Sequence, residues 1–119
     1  MGANKSEWEG VNAARVAELH AMREKFNALL RGKNIFILPT HPREAPKNGS
    51  TVRRPLDFAM TGVFNALGLP ATAAPVSWEN DLPQSVQIIS AWGQDHMTLS
   101  AAQVLESGFG GSRRPAFPT

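Results

Sequence analysis

No cysteine occurs in this chain of 119 residues, which rules out a disulfide framework, a thiolate metal site and a cysteine nucleophile. A large charge of one sign is also missing: twelve Lys and Arg against ten Asp and Glu leave a formal charge of +2. That excess is too small and too scattered for an electrostatic footprint on phosphate backbones. The basic residues are not interleaved with stacking aromatics either, so no nucleic-acid partner is expected. Nor is there any run approaching the roughly 20 apolar residues of a membrane span. The first apolar residues are mixed with Asn, Lys, Ser and Glu, unlike a signal-peptide core. A soluble, cytoplasmic chain with no membrane span is the resulting expectation. What the sequence does contain, 42% apolar residues in 12.9 kDa, is enough for one domain and too little for two. A compact fold of this mass would expose roughly 6,300 Å², against about 18,700 Å² for the unfolded chain.

Over residues 6–31 the apolar positions Val11, Leu19, Met22, Phe26, Leu29 and Leu30 fall mostly three or four apart, which predicts an amphipathic helix. Ser6 and Glu9 have the spacing of a capping box, and Gly32 supplies a left-handed stop. Ile35-Phe36-Ile37-Leu38 is a continuous apolar run closed by Pro39, which reads as a strand buried on both faces in a sheet interior. Residues 40–55 form a long loop rich in proline and basic residues. Asp57 is positioned to cap a second helix carrying Phe58, Met60, Val63, Phe64 and Leu67, with Gly68 as its stop before Pro70. Residues 71–78 read as an extended segment interrupted by Pro75, and Glu79-Asn80-Asp81 as a turn. The strand over residues 85–90 then makes a hairpin with that segment. A last helix starts at Asp95 as N-cap, carries Met97, Ala101, Val104 and Leu105 on one stripe, and stops at Gly108. The fold class is therefore α/β, a mixed β-sheet with flanking helices. Residues 1–109 form a single unit, followed by a flexible tail over residues 110–119.

Little in these residues commits the chain to a reaction. His20, His41 and His96 show no pair at ligand spacing, so no metal and no cofactor are expected. Gly110-Gly111-Ser112 has no strand before it and no room for a helix before Pro115, which excludes a phosphate or nucleophile loop. Arg43, Lys47, Arg53 and Arg54 could meet an anion, but a solvated charged loop is the favoured reading, and Arg113-Arg114 is weaker still. No serine or threonine has a base at a recognised spacing, so no catalytic residue is assigned.

One set of motifs is more specific. Leu38-Pro39-Thr40, then Pro42 and Ala45-Pro46, are followed by Thr61-Gly62-Val63-Phe64-Asn65-Ala66-Leu67-Gly68-Leu69-Pro70-Ala71, Pro75 and Leu82-Pro83-Gln84-Ser85-Val86-Gln87. In order and spacing this resembles the C-terminal portion of amidase signature enzymes. The continuation Gln94-Asp95-His96-Met97-Thr98-Leu99 through Phe109-Gly110-Gly111 is most similar to the fatty-acid amide hydrolase type 2 branch, and the likeness runs from about Val11 to Pro115. One departure is Ser85, where many members carry glycine; it bears only on local hairpin geometry.

The resemblance implies a family that hydrolyses amide bonds with a serine nucleophile, a second serine joined through a cis peptide, a lysine base and a Gly/Ser-rich oxyanion loop. Those residues lie upstream of the matched region, and neither the lysine motif nor a Gly-Gly-Ser-Ser-Gly-like run occurs here. The chain alone is therefore expected to be inactive, a C-terminal fragment or subunit of an amidohydrolase that acts on linear amides such as fatty-acid amides. Its expected partners are an N-terminal catalytic amidase half or a second copy of itself. In fatty-acid amide hydrolases the helix leading to the Asn lines the acyl-chain passage. By that resemblance Phe58, Thr61 and Gly62, at i, i+3 and i+4, are the substrate-binding candidates. The Asn65 amide and the punctuating Gly68, Pro70, Pro39 and Pro75 serve the fold. The alternative is a non-catalytic binding or interaction module that reuses the same fold.

Overall fold

Two runs of β-branched and small residues, separated by two residues that accept left-handed backbone, are the nucleus of the architecture. A computed structural model describes residues 5–50, 54 and 56–112, with side chains from residue 10 onward. Its elements are α1 (Lys5–Leu30), β1 (Phe36–Pro39), α2 (Ala59–Leu67), β2 (Ala71–Glu79), β3 (Leu82–Ile89) and α3 (Asp95–Phe109). Asn80 and Asp81 take φ of 49° and 60°, the paired positive angles that let a two-residue turn follow the strand twist. β2 and β3 thereby lie antiparallel, with Ala71 opposite Ile89 and Glu79 opposite Leu82. The register slips between Pro75 and Ser77, where proline cannot donate to the ladder.

The sheet order is β1-β3-β2, and β1 also runs antiparallel to β3, Phe36 opposite Ile89 and Pro39 opposite Val86. The expected sheet with flanking helices is present, and both of its described pairings are antiparallel. β1, however, is an edge strand with β3 as its one neighbour rather than an interior strand buried on both faces. Phe36 and Ile37 are 43% and 45% exposed. A run that is apolar on both faces requires a neighbour and a cover on each side, and the described residues supply only one side.

Strand alternation sends Gln87 and Ile89 to one face, and Ile88 and Val86 to the other. On the first face Ile89 packs with Leu30, Phe64, Leu67, Leu69 and Ala91, flanked by Phe26 and Leu38. Phe26 meets Phe64 edge-on at 5.9 Å, and Phe36 lies 6.2 Å from Phe64, separations at which ring quadrupoles attract. On the second face α3 covers β2. The inward stripe of α3 is Thr98, Ala101, Ala102 and Leu105; Val104, assigned inward from the sequence, is 71% exposed. Thr98 is buried because both its needs are met locally: its hydroxyl donates to the Asp95 carbonyl and accepts from the Thr72 hydroxyl, each at 2.8 Å.

Helix ends depart from the expectation in two places. Gln94, not Asp95, occupies the cap of α3, and the helix runs past Gly108 to stop at Gly110 (φ 82°), whose N–H donates to the Glu106 carbonyl. Gly110 and Gly111 thus serve the helix stop, while residues 113–119 of the expected tail lie outside the described residues. The Ser6–Glu9 capping box rests on side chains that are likewise outside them. Among the described residues no helix is long and apolar enough to cross a membrane.

Candidate functional site

Phe58, Thr61 and Gly62 come together on the first turn of α2, and the turn is organised by one carbonyl. Phe58 O accepts from the backbone N–H of Thr61 at 3.1 Å, from that of Gly62 at 2.8 Å and from the Thr61 hydroxyl at 3.0 Å. The cap residue is therefore Phe58, with φ −87° and ψ −1°, and no side chain caps the helix. Asp57, the cap expected from sequence, does not serve: the chain enters α2 through a turn at residues 56–58, so residue 58 already has helical angles. The Asp57 carboxylate instead pairs with Arg43, Nε to Oδ2 at 3.4 Å.

Phe58 is 64% exposed and its ring folds back over Gly62; a Cβ built on Gly62 would lie 3.5 Å from the ring. The surface there is an aromatic plate beside a position with no side chain. Thr61 spends its hydroxyl proton on the backbone, which leaves its lone pairs and not its hydrogen for any ligand. Chemically the group can present apolar surface and one weak acceptor; it holds no acid, base or nucleophile.

What holds this turn in place was not evident from sequence. Gln87 is buried on β3, and its amide donates to the carbonyls of Met60 at 2.9 Å and Pro39 at 3.3 Å, tying the start of α2 to the end of β1. A polar residue at a core-facing strand position is the signal that could have found it. The far end of α2 closes on Gly68 (φ 62°): Gly68 N–H donates to Asn65 O and Leu69 N–H to Phe64 O, with Phe64 and Leu69 packed together. These are the paired bonds of a Schellman motif. The Arg23 guanidinium of α1 donates to the last carbonyl, that of Leu67, and its positive charge faces the negative end of the helix. The Asn65 side chain is exposed, and the carbonyls at this end of α2 are taken by Gly68, Leu69 and Arg23.

The other candidates are not drawn into this site. Arg43, Glu44, Lys47, Arg54 and Asp57 line an open cleft of about 570 Å³ in the loop before α2, where cations and carboxylates alternate; Arg53 lies outside the described residues. His41 Nδ1 lies 3.0 Å from the Arg43 carbonyl, and His20 and His96 are exposed on their helices. Among the described residues no three His, Asp or Glu side chains approach closely enough to hold a metal ion.

No protein-family model matches the chain. Fatty-acid amide hydrolase 2 of Homo sapiens is 41% identical over 92 residues, which cover 76% of this chain and 17% of that protein. A glutamyl-tRNA(Gln) amidotransferase chain of Thermus thermophilus is 33% identical over 89 residues, covering 71% of this chain and 19% of that one. A crystal structure of an amidase superposes with a TM-score of 0.75 at 29% identity, over 86% of this chain and 26% of that chain. Sequence and fold likeness therefore fall together on the amidase signature enzymes, whose fold this chain shares in part. Within them the likeness extends to fatty-acid amide hydrolase 2. The chain spans less than a fifth of the length of these curated relatives.

Proposed function

We propose that the chain is the C-terminal piece of an amidase-signature amidohydrolase acting on linear amides such as fatty-acid amides. In it, α2 forms a wall of the acyl passage, and the serine, serine and lysine groups come from the remainder of the enzyme. The observation that carries this reading is the exposed Phe58 plate over Gly62, beside the run Thr61 to Ala71 that resembles the amidase signature enzymes. An alkyl chain gains from lying on an aromatic face and needs a residue without a side chain to pass. The partner in this reading is the N-terminal catalytic half, and the apolar surface left open on α1 and β1 is available to it. A freestanding binding module would be expected to close its own core, whereas Val11, Val16, Leu19, Met22 and Ile37 stand 40–54% exposed.

The test replaces the matching segment of human fatty-acid amide hydrolase 2 with this chain. Pure chain is expected to release no amine from a fatty amide, and the chimera to do so. In the chimera, Gly62→Trp would push the Phe58 ring outward and lower kcat/KM for long acyl amides by about tenfold or more, roughly the worth of one well-buried alkyl contact, while short amides are spared. Equal loss for short and long substrates would remove the wall assignment. Turnover by the pure chain would remove the division of labour.

A further inference from the structure

The two ends of α2 are held to the rest of the chain by different means. At the far end Phe64 and Leu67 are buried in the core, and Arg23 clasps the last carbonyl. Among the described residues the first turn has no buried side chain: Met60, Thr61 and Gly62 are half-buried, and no side chain caps the helix. The three bonds that Phe58 O accepts are local, so they shape the turn without fixing where it stands against the sheet. That placement falls to Gln87. It lies on the central strand between Leu38 of β1 and Ala73 of β2, and it is 3% exposed. Both N–H groups of its amide go to carbonyls, Met60 O at 2.9 Å and Pro39 O at 3.3 Å. An apolar side chain of equal length would fill the same space without the cost of desolvating an amide, and a buried hydrogen bond returns little net stability. What the amide adds is direction. Two hydrogen bonds from one nitrogen hold the end of β1 and the start of α2 at a set separation, which apolar packing by itself does not.

We infer that Gln87 is a positioning residue for the acyl passage: by fixing the Met60 carbonyl it sets where the Phe58 plate and the Gly62 gap stand. Met60 lies two residues from each of them in the same turn, so a displacement of its carbonyl is carried to both. Phe58 is 64% exposed, and its place therefore follows the backbone that carries it rather than a surrounding core. Gln87 acts through α2, from beneath the wall, without touching the acyl chain. The consequence is a selectivity for chain length that depends on a residue outside the passage. This inference rests on the passage reading above and adds to it the residue that sets the geometry of the wall.

Gln87→Met keeps the length of the side chain and loses both donors. In the full chain, hydrogen exchange at the Thr61 and Gly62 N–H groups is expected to quicken about tenfold, with that at Leu69 N–H unchanged. In the chimera with human fatty-acid amide hydrolase 2, KM for a long acyl amide is expected to rise about fivefold, while kcat and the KM for short amides are retained. Gln87→Asn keeps the amide but is one methylene too short to reach both carbonyls; it is expected to act in the same sense, and it decides the matter if Gln87→Met does not fold. Faster exchange at all three amides together, or equal losses for short and long substrates, would mean that Gln87 serves stability alone and would overturn the inference. Where Gly62→Trp discriminates by chain length and the Gln87 variants do not, the inference alone falls. Where neither does, the passage reading falls and takes the inference with it.

Discussion

The region where α2, the hairpin and α3 meet is closed, whereas the first turns of α1 and the outer side of β1 are open. Leu67, Ile88, Ile89 and Thr98 are all 2% exposed or less, while Val11, Val16, Leu19, Met22 and Ile37 lie between 40% and 54%. Both regions carry the same kind of apolar spacing, so periodicity alone does not decide burial. A helix forms wherever local sequence permits, but its apolar stripe becomes core only where a second surface of matching area is present. α1 illustrates this within a single element: Phe26, Leu30 and Arg23 engage α2, and its earlier apolar positions face solvent.

Substitutions at the two ends of this contrast would sharpen or break it. The largest effect is expected from Leu67→Ala, which leaves a void among Leu30, Phe64 and Ile89 and costs about 2–5 kcal/mol in urea unfolding followed by circular dichroism. A cost under about 1 kcal/mol would mean that the closed end is not the core. Next is Gly68→Ala. Its φ of 62° disfavours any side chain, and a Cβ there would stand 3.1 Å from the Arg23 guanidinium, so a loss of about 1–2 kcal/mol is expected by the same measurement. The smallest effect is expected from Leu19→Gln on the open part of α1, within about 0.5 kcal/mol. A loss near that of Leu67→Ala would reveal that the first turns of α1 are covered in solution, and the comparison would fail.

Much of the fold was legible before any coordinates. The α1 period, the Asn80-Asp81 turn, the interruption at Pro75 and the Gly68 stop all depend on local backbone preference, which sequence reports directly. The candidate site residues came from the family resemblance; sequence spacing adds only that i, i+3 and i+4 on a helix share a face. The features that were missed depend on tertiary partners. Asp57 and Asp95 have the residue type of a cap, but Phe58 and Gln94 occupy the cap positions, and Asp57 is drawn to Arg43 instead. Neither Thr98 nor Gln87 was marked for burial from sequence, because only the folded chain supplies the Thr72 hydroxyl, or the Met60 and Pro39 carbonyls, that permit it. β1 was read as interior from a composition that suits an interior strand, yet the described chain gives it one neighbour.

The Arg23 clasp on α2 also bears on the order in which the chain can assemble. It joins groups 44 residues apart, and the companion bond from Trp92 N–H to the Asn27 side chain joins groups 65 apart. The β2–β3 hairpin closes across two residues, and the Thr72–Thr98 bond that seats α3 spans 26. Loop-closure entropy rises with the length of chain enclosed, and long-range contacts are repaid only after it has been met. Hairpin and α3 therefore form a local nucleus early. The clasp between α1 and α2 is therefore expected to close after the hairpin, and until it does the final carbonyl of α2 lacks its cation.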